Sequence, residues 1–191
     1  MPRVRTGTIA GHRREVRDAI LDASARMVGA GGLHSVTMAG LAQEAGIGRA
    51  TLYKYFAGVD EVLVAWHERL LEEHVRALRA EVEGQPDPAE QLVRGLRAYT
   101  ELTAHEPSEA AGALHGRGHA QGSADEVESL FTDLIDAAAR HGAVRDDVAP
   151  RELAVFCIGA LGGARHLPSK AAARRLVATV LEGLRFEGSA I

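Results

Sequence analysis

The residues best suited to bind nucleic acid are concentrated in one short stretch, residues 37–56. Its pattern is typical of two short helices joined by a glycine turn at Gly46, the arrangement of a helix-turn-helix DNA reader. The side chains that could reach DNA are Thr37, Arg49, Ala50, Thr51, Tyr53, Lys54 and Tyr55. Most of them carry a hydroxyl or a positive charge, which are the groups that hydrogen-bond to phosphates and base edges. The stretch therefore predicts DNA binding.

These side chains divide into two expected roles. An arginine near the start of a reading helix can hold guanine through two hydrogen bonds, worth roughly 1–3 kcal/mol of base discrimination. We expect Arg49, Ala50 and Lys54 to read sequence, with Ala50 packing on a thymine methyl group. The hydroxyl-bearing side chains are expected to fix the register on phosphates instead; they are Thr37, Thr51, Tyr53 and Tyr55. Thr37 is also expected to cap the first short helix.

The rest of the chain has to position this stretch, and its pattern is helical throughout. Apolar residues recur at helical spacing before the motif, in a predicted helix from Arg13 or Arg14 to about Val28. A long amphipathic helix is predicted from about residue 60 to 83, and the last two helices over about 151–166 and 169–187. Since no alternating strand pattern occurs, the predicted fold class is all-α.

Composition and charge narrow the class of protein. The chain is 46% hydrophobic and 25% charged, which is ordinary for a soluble globular protein. Residues 1–58 hold eight Lys and Arg against four Asp and Glu, a net charge of +4. Because the whole chain has a net charge of −4, the remaining residues carry −8. A basic N-terminal segment on an otherwise acidic chain suits a polyanionic partner that contacts only that segment.

Cellular location is an expectation from cysteine usage and hydropathy. The chain has a single cysteine, Cys157, and no apolar run resembles a signal peptide or a membrane span. We therefore expect a cytoplasmic protein with no membrane partner. The same pattern favours Cys157 as a small buried hydrophobic residue over a redox sensor.

The N-terminal segment also resembles a known family. The run Val-Thr-Met at 36–38, Thr-Leu-Tyr-Lys-Tyr-Phe at 51–56 and Asp-Glu-Val-Leu at 60–63 resemble the DNA-binding domain of the tetracycline-repressor (TetR) family. The resemblance covers about residues 14–65. It implies an N-terminal three-helix helix-turn-helix domain, residues 1–58, followed by a helical-bundle ligand-binding and dimerisation domain, residues 59–191.

The same resemblance implies a function. The chain would be a homodimeric repressor, paired through residues about 151–187, that leaves a palindromic DNA operator when an unidentified small-molecule effector binds. One departure stands out, because many members carry a phosphate-binding lysine where this chain has Val59. Basic residues near the N-terminus could compensate; they are Arg3, Arg5, Arg13 and Arg14. No cofactor and no metal is expected.

A ligand pocket is expected among the body helices. Its candidate lining residues were chosen because polar groups interrupt apolar helix faces there. They are Tyr99, Thr103, His115, Phe131, Ile135 and Phe156.

Two other functions remain open at this point. A small all-α enzyme could use some of the nine histidines as general bases or metal ligands, and His115 and His119 stand four residues apart. No third ligand is evident from the sequence. A helical interaction protein that has lost DNA binding is the other alternative, which the absence of a lysine at position 59 leaves open.

Overall fold

The structure is a computed structural model that describes residues 9–104 and 120–185. All regular secondary structure within those residues is helical, which confirms the predicted all-α class. The helices are α1 (Ile9–Gly31), α2 (Met38–Glu44), α3 (Arg49–Leu52), α4 (Val59–Val82), α5 (Pro88–Ala104), α6 (Ala120–Arg140), α7 (Pro150–Gly162) and α8 (Lys170–Gly183), with short 3-10 helices at Leu33–Ser35 and Gly163–His166.

The described residues divide into two compact units, which we call the head (residues 9–69) and the body (residues 70–104 and 120–185). The division falls inside α4, so this helix belongs partly to each unit. The domain boundary expected after residue 58 coincides with the start of α4 at Val59. It stays a prediction, because a helix shared by both units does not mark a boundary by itself.

The head is built on α1, which packs against α2, while α2 packs against α3. Its apolar side chains follow the helical period and are buried, as Ile20, Leu41 and Leu52 show with no exposed surface. The first helix begins at Ile9, one turn before the expected start at Arg13 or Arg14. Arg13 and Arg14 are therefore exposed residues of a helix. Arg3 and Arg5 lie outside the described residues.

The body is a bundle in which α5 contacts α6, α7 and α8, and α6 packs along α7. Its core is drawn from all four helices and the end of α4: Val82, Leu92, Leu96, Phe131, Leu134, Ile135, Ala138, Leu153, Ala154, Cys157, Leu161, Val177, Val180 and Leu184. The ring of Tyr99 meets that of Phe131 edge to face, with centroids 5.6 Å apart. Such a pair adds about 0.5–1.5 kcal/mol to what burial alone contributes.

The final pair of helices is shorter than the sequence indicated. The α7 helix ends at Gly162 and tightens into the 3-10 helix Gly163–His166, where two adjacent glycines weaken the α-helical pattern. The α8 helix begins after Ser169, whose hydroxyl accepts the backbone N–H of Ala172 at 3.2 Å. None of the described helices is both long enough and apolar enough to cross a membrane.

Cys157 lies on the core face of α7 with no exposed surface. Burial raises the pKa of its thiol from 9.0 to about 12, since the thiolate is not solvated there. At neutral pH the group is therefore protonated, and it acts as a small apolar side chain, as predicted.

We expect a disulfide-exchange reagent such as Ellman's reagent to label Cys157 slowly in the folded protein. The thiolate is the reactive form, and the raised pKa lowers its fraction at pH 8 about a thousandfold, before exclusion of the reagent by packing is counted. Absorbance of the released thiol measures the rate, and the protein unfolded in guanidinium is the control. Equal rates in folded and unfolded protein would contradict the buried placement.

Candidate nucleic-acid interface

The first helix of the motif, α2, is capped by Thr37. Thr37 has an extended backbone, and its side-chain oxygen accepts the backbone N–H of Gly40 at 3.1 Å. That bond satisfies one of the amide groups that a helix start leaves without an intrahelical partner. The expected capping role of Thr37 is confirmed.

Gly40 occupies the position where a capping box would carry Glu or Gln, and the geometry explains the glycine. A Cβ atom there would lie 2.7 Å from Cε of Met27 and 3.1 Å from Oγ1 of Thr37. A side chain there would require the flexible end of Met27 to move and would crowd the oxygen of the cap. Glycine avoids both contacts where α1 and α2 pack together.

The turn between α2 and α3 has the geometry of a Schellman motif. Gly46 has a φ of +66°, a conformation that costs glycine little and other residues more. The N–H of Ile47 donates to the carbonyl of Ala42 at 3.0 Å, and that of Gly46 donates to Gln43 at 3.2 Å. The turn is thus set by backbone hydrogen bonds, as the sequence predicted from Gly46.

The reading segment is the single turn of α3 and the residues that follow it to Phe56. Two apolar side chains four residues apart anchor it, since Leu52 has no exposed surface and Phe56 is 5% exposed. The guanidinium of Arg17, on α1, lies 5.3 Å from the centre of the Phe56 ring, within cation–π range. The segment is therefore held by the burial of its own Leu52 and Phe56 and by the contact of Phe56 with Arg17.

The predicted DNA contacts are accessible to different degrees. The exposed ones are Thr37, Arg49, Ala50, Tyr53 and Lys54, and the half-buried ones are Thr51 and Tyr55. Tyr53 is the most exposed large apolar side chain among those described, at 57%. Both its ring and its hydroxyl group are therefore accessible to a binding partner.

One pair that supports the motif was missed at the sequence level. On α1, Arg26 donates through Nε to the Glu44 carboxylate at 2.6 Å and through a terminal nitrogen to the Glu44 backbone carbonyl at 3.3 Å. The pair ties the end of α2 to α1. Only the opposite charges could have signalled it, because a separation of 18 residues has no helical periodicity.

The position of the missing lysine is now defined structurally. Val59 is the first residue of α4, and Glu61 accepts the backbone N–H of Ala57 at 2.8 Å just before it. The turn that leads into α4 is therefore formed without the lysine. Exposed Arg13 and Arg14 remain available on α1.

The structure places most predicted pocket residues in the packed body. Phe131 and Ile135 have no exposed surface and belong to the core, and Thr103 is 7% exposed. Tyr99 packs against Phe131, whereas Phe156 is 49% exposed. His115 lies outside the described residues. Their contact with an effector stays a prediction.

A cavity of about 700 Å³ occurs elsewhere in the body, between α5, the 3-10 helix Gly163–His166 and α8. None of the five predicted pocket residues that the structure describes lines it. Its size is within the range of small-molecule sites, roughly 300–1,000 Å³. Among residues 9–104 and 120–185, no three His, Cys, Asp or Glu side chains are grouped closely enough to hold a metal ion.

One apolar surface is open to solvent in the body. Val155 and Phe156, on α7, are 54% and 49% exposed. Gly159 follows on the same face, with no atom within 4 Å of the place where its Cβ would be. The Phe156 ring lies over Gly183 of α8, 3.7 Å from that residue's Cβ position. We call these four residues the α7–α8 face.

Comparisons with known proteins match both units. Residues 20–65 match the family model described as "Bacterial regulatory proteins, tetR family", and residues 87–186 match "Transcriptional regulator SbtR-like, C-terminal domain". The second match alone covers more than half of the chain. The transcriptional regulator BetI of Brucella melitensis is 32% identical over 115 residues, which are 60% of this chain and 58% of BetI. The chain thus spans less than two thirds of the curated relatives it matches.

Solved structures share the fold. A TetR-family transcriptional regulator from Pectobacterium atrosepticum superposes with a TM-score of 0.73 at 24% identity, covering 95% of this chain and all of that one. AibR, solved with isovaleryl coenzyme A and operator DNA, has a TM-score of 0.63 at 16% identity, covering 88% of this chain and 97% of AibR. These likenesses extend over both the head and the body.

Replacing Thr37 by alanine should lower the free energy of unfolding by about 1 kcal/mol, because the Gly40 amide loses its cap. Urea unfolding followed by circular dichroism, at one protein concentration, measures the change. Thr37→Ser is the matched control, since it keeps the accepting oxygen, and it should remain within a few tenths of a kcal/mol of the wild type. Equal losses in both variants would show that the cap contributes nothing.

Proposed function

Because this chain belongs to the tetracycline-repressor (TetR) family of bacterial regulatory proteins, we propose that it is a DNA-binding transcriptional repressor that acts as a homodimer. It binds a palindromic operator through residues 37–55 of the head and leaves that operator when a small-molecule effector binds the body. Membership also places the chain among regulators rather than enzymes, so the histidine- or metal-dependent enzyme is set aside.

The observation that carries this proposal is that the reading segment is anchored by buried apolar side chains while its polar side chains are exposed. Leu52 and Phe56 are buried, whereas Arg49, Tyr53 and Lys54 between and beside them are exposed. In a major groove, Arg49 and Lys54 would contact base edges, with Ala50 against a thymine methyl group. The hydroxyl groups of Thr37, Thr51, Tyr53 and Tyr55 would hold phosphates and set the register.

Charge supports the same orientation on DNA. Residues 1–58 carry a net +4 within a chain of −4, so a phosphate backbone attracts this segment and repels the acidic remainder. Because Val59 replaces the lysine found in many family members, we assign part of the contacts with phosphates to Arg13 and Arg14 on α1. Both are exposed and neither forms an ion pair with another described residue.

The α7–α8 face supports the dimer. Two large apolar side chains, Val155 and Phe156, stand beside Gly159, where a neighbouring backbone can approach closely. A two-fold contact would bury them against their own copies, as an isologous interface requires. A dimer in turn suits a palindromic operator, whose half-sites lie about 34–36 Å apart, one helical turn.

The effector response is proposed on the fold and on the body's cavity. AibR, which shares the fold, was solved with both an acyl-coenzyme A and operator DNA. In this chain the cavity of about 700 Å³ offers room for a ligand of moderate size. Its occupation would change the relative stability of DNA-binding and released conformations, as ligand-controlled equilibria require.

Replacing Arg49 by alanine should weaken binding to the operator about 10- to 100-fold, since a bidentate arginine–guanine contact discriminates by roughly 1–3 kcal/mol. Fluorescence anisotropy at fixed salt, with labelled DNA from upstream of the chain's own gene, measures the affinity. Tyr53→Phe removes a phosphate contact and should weaken binding to all sequences alike.

Arg76→Ala is the matched control for Arg49→Ala, because Arg76 is an exposed arginine on α4 outside the reading segment. Its operator affinity should stay within about twofold of wild type, as distant exposed charges are largely screened. Binding that is insensitive to salt at every inverted repeat, or wild-type affinity in Arg49→Ala, would reject the proposed reader. The helical interaction protein without DNA binding would then be the better description.

Introducing a charge on the α7–α8 face should separate the dimer. In Phe156→Glu a carboxylate replaces a half-exposed ring, and burying it unpaired against its copy is costly. Sedimentation velocity at micromolar concentration should show dimeric wild type and monomeric variant. Ala80→Glu, which adds the same charge at an exposed position of α4, should remain dimeric. A dimeric Phe156→Glu, or a monomeric wild type, would place the interface elsewhere or remove it.

A further inference from the structure

We infer that the cavity between α5 and α8 binds a small organic anion, with a carboxylate or phosphate head and a short apolar body. The lining is strongly biased in charge. Four basic residues line it, Arg97, Arg165, Lys170 and Arg174, against one acidic residue among the described lining, Glu101. This local excess occurs in a part of the chain whose sequence is net negative, so it is not the general charge of the surface.

No carboxylate of residues 9–104 and 120–185 forms an ion pair with these cations. Other arginines of the body do pair within the same residues, as Arg94 does with Glu90 and Arg151 with Glu128. Grouped positive charges in a cleft raise the local concentration of anions. Guanidinium groups also match the two oxygens of a carboxylate or phosphate.

The cations lie on three different elements that line the cavity. Arg97 lies on α5, whereas Lys170 and Arg174 lie in the first turns of α8, and Arg165 lies on the 3-10 helix between α7 and α8. The charged group of a ligand bound among them would be contacted by side chains from all three elements. Ser169 adds a hydroxyl whose oxygen accepts the Ala172 amide, which leaves its hydrogen free to donate to the anion.

The base of the cavity is apolar. Ala164 and Val177 are 3% and 4% exposed, and Thr100 beside them donates its hydroxyl hydrogen to the Leu96 carbonyl at 2.7 Å. Small side chains at Ala173 and Ala178 leave the volume open where larger residues would fill it. A ligand with only a charged head would leave this surface wet, so the site favours an apolar body as well.

The identification of this ligand as the effector rests on the proposed function, whereas the site itself can be tested without DNA. Isothermal titration calorimetry on the full chain would use sodium octanoate and octyl phosphate as probes. Acetate tests the need for the apolar body, and 1-octanol and octylamine test the need for negative charge. We expect octanoate or octyl phosphate to bind at least tenfold more tightly than acetate, octanol and octylamine. The tighter of the two octyl anions identifies the head group.

Variants assign the binding to this cavity. The double variant Arg97→Gln/Arg174→Gln should weaken binding of the octyl anions at least tenfold. Ala173→Leu, which fills the apolar base without changing charge, should also weaken them at least tenfold. Arg76→Gln removes one exposed charge outside the cavity and should bind as the wild type does. Absence of anion binding, equal binding of octanol, or unchanged binding in both cavity variants would overturn the inference.

A DNA-binding experiment distinguishes this inference from the proposed function. Operator binding by the wild type is measured with and without the tighter octyl anion. Anion binding without any effect on operator affinity would support the site and reject its role as the effector site. Operator binding by a chain that fails to bind the anions would overturn the site and leave the DNA reader intact.

Discussion

The burial of two side chains beneath one helical turn is the constraint on which the DNA-reading part depends. The α3 helix is four residues long, and a helix of that length has no stability of its own in water. It exists because Leu52 and Phe56 are inserted into the head, with Arg17 over the Phe56 ring. Since these two anchors point inward, Tyr53 and Lys54 between them are directed outward. The reading surface is thus a consequence of packing rather than of local helix propensity.

The same reasoning shows what could be predicted from the sequence. The helical class follows from apolar periodicity, and the turn follows from Gly46, whose positive φ few other residues tolerate. Both are local signals. The Arg26–Glu44 pair could not be predicted, since it depends on how α1 crosses α2 and not on spacing along the chain. The start of α1 at Ile9 was missed for a related reason, because a polar segment carries little periodic signal.

The pocket shows the limit of that reasoning more sharply. Phe131 and Ile135 were expected to line it because they lie on apolar helix faces, but such faces indicate burial of any kind, and here they form the core. A cavity instead arises where segments distant in the sequence leave space between them, as α5 and α8 do here. The periodicity within either helix does not predict such a cavity.

The cap on α2 links stability and recognition through one hydroxyl. The oxygen of Thr37 accepts the Gly40 amide hydrogen, and its own hydrogen can be donated to a phosphate oxygen in the proposed complex. A phosphate would then complete a chain of hydrogen bonds that runs from the nucleic acid into the helix backbone, and each bond in such a chain polarises the next. The operator would act in part as a folding ligand, tightening the helix that presents the reader.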